Sequence, residues 1–215
     1  MKPLAFINFK TYPQGSGNKS VAFAKKLKKI KSPYKIIAVP QLVNLSEVSK
    51  HLPVYAQHAD CVQLGRNTGY VAPKSLKLAG CQGVFLNHSE HKIPFRKLSA
   101  TIKECRKVNL KVLVFAGSLS AINKMLKLNP DYIAYEPAKL VGGKISVTSA
   151  NPKVISKAAA LVKKKKKVKL IVGAGVHSKS DVETALLLGA SGIAVASAIM
   201  KGTDKQIKDI LTARQ

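Results

Sequence analysis

Eight short apolar runs recur along the chain, each followed by a stretch with helical character, and few architectures accept that alternation. The runs are Leu4–Phe9, Lys35–Val39, Val54–Gln57, Gly83–Leu86, Lys111–Phe115, Tyr132–Tyr135, Lys169–Val172 and Gly192–Val195. They are continuous rather than strictly alternating, as in strands buried on both faces of a parallel sheet. The intervening segments predict helices over Ser20–Lys31, Asn44–His51, Pro73–Ala79, Pro94–Val108, Ser118–Leu128, Pro152–Lys165, Ser180–Leu188 and Asp204–Leu211. In the fourth of these, Leu98, Ile102 and Cys105 recur at one-turn and two-turn spacing, so one face is apolar. Strand–helix alternation argues for α/β with parallel strands, either an open doubly wound sheet or a closed barrel. An open sheet normally carries a Gly-rich phosphate loop after its first strand. Here that strand runs into Asn8-Phe9-Lys10-Thr11, and Gly15-Ser16-Gly17 lacks the required spacing. Eight units are what a (β/α)8 TIM barrel needs. With 215 residues against roughly 250 for a typical barrel, the expected form is compact, with shortened or missing helices.

No linker, low-complexity tail or Ser/Gly-rich spacer interrupts the chain, so a single domain over 1–215 is expected. No stretch approaches the roughly 18–20 apolar residues of a membrane span, and the start MKPLAFINFKTY reads as a first strand rather than a secretory signal. Cys61, Cys81 and Cys105 are widely spaced, with no CxxC pair and no Cys/His ligand cluster. They read as reduced thiols of a cytoplasmic protein, and no metal is implied. The charge balance is extreme: 37 Lys and Arg stand against 10 Asp and Glu, a net +27. Such a field suits nucleic acid, an anionic surface or an anionic substrate, and charge alone does not choose among them. Aromatics make up 6% of the chain and Trp is absent, whereas single-stranded nucleic-acid binders interleave aromatics with basic residues. Lys163–Lys167 reads as a solvated helix end, with cations favourable at the helix C-terminus.

Barrel enzymes carry their chemistry on the loops that follow the strands. After the first strand, period-two geometry sends Asn8 and Lys10 to the same side; the lysine either meets an anion or snorkels to solvent. After the fourth come Asn87-His88-Ser89-Glu90, which read equally as an acid–base pair or a helix cap. After the sixth comes Glu136-Pro137, a candidate general base, followed by a Gly-containing stretch with lid character. After the seventh and eighth lie Gly173-Ala174-Gly175-Val176 and Ala196-Ser197-Ala198, small residues that let backbone N–H groups approach an anion.

Placed in this order, the segments resemble the triosephosphate isomerase family, in particular its short archaeal branch. The resemblance spans essentially the whole chain. It is carried by Phe6-Ile-Asn-Phe-Lys-Thr-Tyr12, Val54-Tyr-Ala-Gln-His-Ala-Asp60, Asn67-Thr-Gly69, Leu86-Asn-His-Ser-Glu90, Asn129-Pro-Asp-Tyr-Ile-Ala-Tyr-Glu-Pro137, Leu140-Val-Gly142 and Val172-Gly-Ala-Gly-Val176. The family is itself the standard instance of a Glu base working with a neutral imidazole. The resemblance therefore implies interconversion of dihydroxyacetone phosphate and D-glyceraldehyde 3-phosphate through an enediolate, in glycolysis and gluconeogenesis, with no cofactor. It implies that Glu136 moves the carbon-bound proton, His88 polarises the carbonyl, Lys10 supplies fixed positive charge, Asn8 donates a hydrogen bond and Glu90 anchors Lys10. Val141, Gly142 and Gly143 would close over the phosphate, and Gly175, Ala196 and Ser197 would bind it. Thr68 falls in the segment that in this family reaches a neighbouring subunit, which implies a homodimer or homotetramer. The chain departs from the family pattern at Gly142-Gly143-Lys144, where Gly-Thr-Gly is usual, at Lys139, where short relatives carry an acid, and at Lys92, where Arg is common. The competing expectations are another phosphate-binding barrel enzyme with changed chemistry, or a basic nucleic-acid or anionic-surface binding protein on an inactive barrel scaffold. For the isomerase, nucleic acid is expected only as a non-specific electrostatic partner, and no membrane partner is expected.

Overall fold

The computed structural model describes residues 2–137, 148 and 152–213. Its strands are β1 (Leu4–Asn8), β2 (Lys35–Val39), β3 (Val54–Ala56), β4 (Cys81–Leu86), β5 (Lys111–Ala116), β6 (Tyr132–Tyr135), β7 (Lys169–Val172) and β8 (Gly192–Val195). All pair in parallel in sequence order, and β1 pairs β8 with Leu4 opposite Gly192, so the sheet is a closed barrel. This is the TIM-barrel fold.

The helices among the described residues are α1 (Asn18–Lys28), α2 (Leu45–Ser49), α3 (Pro73–Leu78), α4 (Phe95–Lys107), α5 (Leu119–Leu126), α6 (Pro152–Lys163), α7 (Lys179–Leu187), α8 (Ser197–Met200) and α9 (Asp204–Thr212). Shortening falls mainly on α2 and α3, with five and six residues. Between β3 and α3, residues 57–72 carry no helix. The expected start at Ser180 moves one residue earlier. Ser178 is the true cap of α7, accepting from the Asp181 N–H while the Asp181 carboxylate accepts from the Ser178 N–H, a reciprocal capping box. The expected helix end at Lys165 also shortens: α6 stops at Lys163, and Lys164–Lys167 form a turn.

Strand parity sorts the core into two layers. Leu4, Phe6, Ile37, Val39, Tyr55, Phe85, Leu113, Phe115, Ala134, Ile171 and Ala194 fill the barrel interior. The alternate residues, such as Ala5, Ile7, Val84 and Val114, pack outward with the helices. Phe6 sits among Tyr55, Phe85 and Tyr132 with ring centroids 5.1, 5.6 and 5.7 Å away. Rings this large need a void opposite them, and Gly83 supplies it: a Cβ there would come within 2.4 Å of the Tyr55 ring.

Candidate active site

The inward parity of the strands continues past their ends and selects the polar groups. Leu4 and Phe6 point inward, and Asn8 follows; Tyr132 and Ala134 lead to Glu136; Ala194 leads to Ala196. These residues meet in one pocket, lined also by Lys10, His88, Phe115, Gly175, His177 and Ser197. It lies at the carboxyl end of the barrel.

Lys10 adopts a left-handed backbone with φ of 44°. Two neighbours hold it there: the Asn8 side-chain oxygen accepts from the Lys10 N–H at 2.9 Å, and the Gln57 amide donates to the Lys10 carbonyl at 3.0 Å. Gln57 also donates to the Val39 carbonyl at 3.2 Å, tying β2 to the same point. The Lys10 ammonium meets Glu90 Oε1 at 2.6 Å.

His88 owes its position to Asn87. Strict alternation from Phe85 would turn Asn87 inward, but Asn87 takes φ of 62°, and His88 lines the pocket instead. Asn87 is braced in that conformation by donating to the Phe115 carbonyl at 3.0 Å and accepting from the Ile93 N–H at 3.1 Å. His88 Nδ1 accepts the Glu90 N–H at 3.1 Å, so that nitrogen carries no proton in the neutral ring. The proton is then on Nε2, which lies 3.2 Å from Glu136 Oε2. Glu136 is 6% exposed and also accepts from the Ser89 hydroxyl at 3.3 Å. Between the two readings of His88-Ser89-Glu90, the helix-cap one does not describe this segment: it forms a turn, and α4 begins only at Phe95.

The small-residue loops line the same pocket as Lys10. Gly175 has φ of 63°, a backbone that suits glycine, and Ala196 and Ser197 open the short helix α8. Asp181 secures this side: it accepts from the His177 N–H, the Ser178 N–H and the Thr148 hydroxyl at 3.0, 2.9 and 2.6 Å. Val141, Gly142 and Gly143, with Lys139 and Lys144, lie outside the described residues. Thr68 is exposed on the 57–72 connection and does not line the pocket of its own chain. Sequence reasoning did not anticipate Gln57, Ser89 as a partner of Glu136, or Asp181 as an anchor. A glutamine leaving β3 beside Lys10 was the available signal for the first; the other two depend on contacts between distant segments.

A second cleft of about 750 Å³ shares Asn8, Lys10 and His88 with the pocket and extends over the 57–72 connection. There His58 stacks on His91 with centroids 4.3 Å apart, and Asp60 receives His58 Nε2 at 3.4 Å and the Lys97 ammonium at 3.2 Å. Burial, then His91, pushes His58 below its usual value, against the opposing pull of Asp60. Burial would raise the Asp60 carboxyl, but the Val71 N–H, Lys97 and His58 outweigh it and hold Asp60 low. Burial lifts the Cys81 and Cys105 thiols to about 12, which keeps them unreactive. Among the described residues, no three His, Cys, Asp or Glu gather closely enough to hold a metal ion, and no helix is long and apolar enough to cross a membrane.

A closed eight-stranded barrel brings a carboxylate, an imidazole and an ammonium together where its strands end, groups capable of acid–base chemistry on a (β/α)8 barrel. The family model described as triosephosphate isomerase matches residues 3–214. The chain is 35% identical over 215 residues to the triosephosphate isomerase of Methanocaldococcus jannaschii, covering 97% of this chain and 98% of that one. It is 36% identical to that of Saccharolobus solfataricus, with 98% and 96% covered, and 38% identical to that of Sulfurisphaera tokodaii, with 97% and 94% covered. The chain belongs to the triosephosphate isomerase family.

Proposed function

We propose that this chain interconverts dihydroxyacetone phosphate and D-glyceraldehyde 3-phosphate in the cytoplasm. The observation that carries the reading is the meeting of Lys10, His88 and Glu136 in one pocket, with His88 Nδ1 accepting a backbone N–H and Nε2 aimed at Glu136 Oε2. With Nδ1 engaged by a backbone N–H, the neutral ring presents its single N–H, on Nε2, to a carbonyl oxygen. The substrate phosphate lies against Gly175, Ala196 and Ser197, and its carbonyl faces His88. The Glu136 carboxylate takes a proton from the hydroxyl-bearing carbon of the ketone. The electron pair moves onto the carbonyl oxygen, where His88 and the Lys10 ammonium stabilise the enediolate charge. His88 Nε2 gives its proton to that oxygen and takes up the proton of the neighbouring hydroxyl, while Glu136 returns the carbon-derived proton to the adjacent carbon, giving the aldehyde. At 3.2 Å from His88, the carboxylate occupies the space the reacting carbons need, so it must part from His88 and Ser89 as substrate enters. Glu136→Gln keeps the shape and removes the base; kcat is expected to fall by about 10²- to 10⁴-fold in a glyceraldehyde 3-phosphate assay, with the melting temperature little changed. Wild-type activity at background level would overturn the reading.

We infer in addition that the chain works as a homo-oligomer of at least two copies. Exposed Leu42 and Tyr70 line the cleft beside the pocket, and exposed Val43 and Leu64 lie in the same two connections. Sedimentation equilibrium is expected to give at least twice the mass of one chain.

A further inference from the structure

A concave cluster of unmatched charge lies at the opposite end of the barrel from the pocket, and the proposed isomerisation does not use it. A cleft of about 620 Å³ opens where β5, β6 and β7 begin. Its walls are the end of α4 with Arg106, the first residue of β5, Lys111, the turn before β6, and Lys165–Lys167 before β7. The single carboxylate in the lining is Asp131, already met by Lys111 at 2.7 Å. Arg106 donates to the Leu128 carbonyl at 2.8 Å and to the Asn129 carbonyl, contacts that fix its guanidinium without neutralising it. Lys165, Lys166 and Lys167 are exposed and take part in no ion pair among the described residues. Their turn is tied at both ends, by Lys165 N–H to Val162 O and Val168 N–H to Lys165 O, each at 2.9 Å.

We propose that this cleft binds a linear oligophosphate, several phosphates in a row with no base required. Four cations beyond the Lys111–Asp131 pair crowd one concave surface, and a closely spaced anionic chain relieves their repulsion. Lysine ammonium groups meet phosphates as point charges and demand no base edge. No aromatic side chain lines the cleft, so nothing there stacks a nucleobase. The site lies away from Lys10, His88 and Glu136, so occupancy and isomerisation are separately measurable.

The test is calorimetric titration of the full chain with short-chain inorganic polyphosphate over a salt series. It compares wild type with Lys165→Ser/Lys166→Ser/Lys167→Ser and with Lys25→Ser/Lys28→Ser/Lys29→Ser, which removes three exposed lysines from α1 and its end. The first variant is expected to lose at least about tenfold in affinity, and its slope of log K against log salt to shrink by about 2, at roughly 0.7 per lost contact. The second is expected to lose less than about threefold, as it lowers only the overall field. A single-stranded oligoribonucleotide of equal charge is expected to bind more weakly than polyphosphate, and nucleotide triphosphate no more tightly than inorganic tripolyphosphate. Equal losses in the two triple variants, or tighter binding of the oligoribonucleotide, would overturn the proposal. Thermal melting of each variant confirms that the compared proteins are folded.

Discussion

Lys10 combines two unfavourable features: a charged side chain just beyond the buried end of a strand, and a left-handed backbone. A non-glycine residue in that region is worth about 1–3 kcal/mol of strain, sustained only where the surroundings over-determine it. Asn8 and Gln57 do so here, from the same strand and from the third strand's end. Gln57→Ala removes both hydrogen bonds to carbonyls while leaving Lys10, His88 and Glu136 in place. We expect kcat/KM to fall by about tenfold, since small misplacements of a reacting charge are expensive, and the melting midpoint to drop measurably as two carbonyls lose their donor. Steady-state kinetics and a thermal melt check both. At this scale the sequence was legible where parity was simple. Asn8 and Glu136 follow directly from the inward faces of β1 and β6. His88 does not, because alternation alone favours Asn87, and the exchange depends on Asn87 adopting positive φ between Phe115 and Ile93.

Among elements, β2, β6, β7 and β8 match their expected spans residue for residue, because each is a buried apolar run closed off by polar or small residues. Helix ends were less legible. Caps depend on one side-chain hydrogen bond, as at Ser178, and the short α8 leaves almost no periodic signal in four residues. The 57–72 connection has no periodicity at all, and the His58–His91–Asp60–Lys97 cluster that braces it joins side chains from separate segments. That cluster makes the connection sensitive to acid. His58 titrates lower in the folded protein than in the unfolded chain, so its contribution to stability is complete above about pH 6.5 and is lost as the pH falls below that towards its folded value. Asp60, also held low, loses its contribution only at more acidic pH, below the usual carboxylate range. The melting temperature is expected to be lower at about pH 5.5 than at about pH 7.5, and His58→Gln to shrink that difference.

For the molecule as a whole, net charge dominates. With 10 acids for 37 basic residues, dense ion-pair networks are impossible, and the ion pairs that do form are mostly at the surface, where each contributes little. Self-repulsion opposes the compact state, and multivalent anions screen it. The melting temperature is expected to rise from low to moderate sulfate concentration; a flat response in a sulfate series would show that the repulsion is already relieved within the fold. The pairing of β1 with β8 bears on how such a chain comes into being. Leu4–Ile7 is synthesised before the other seven strands of the barrel, and its partner Gly192–Val195 after them. Until the eighth strand leaves the ribosome, the nascent sheet has an open edge, the kind of surface on which strands from other chains add. Throughout that interval the emerged chain taken as a whole carries excess positive charge, so two unfinished chains repel each other. A surplus that weakens the finished barrel would therefore guard its assembly.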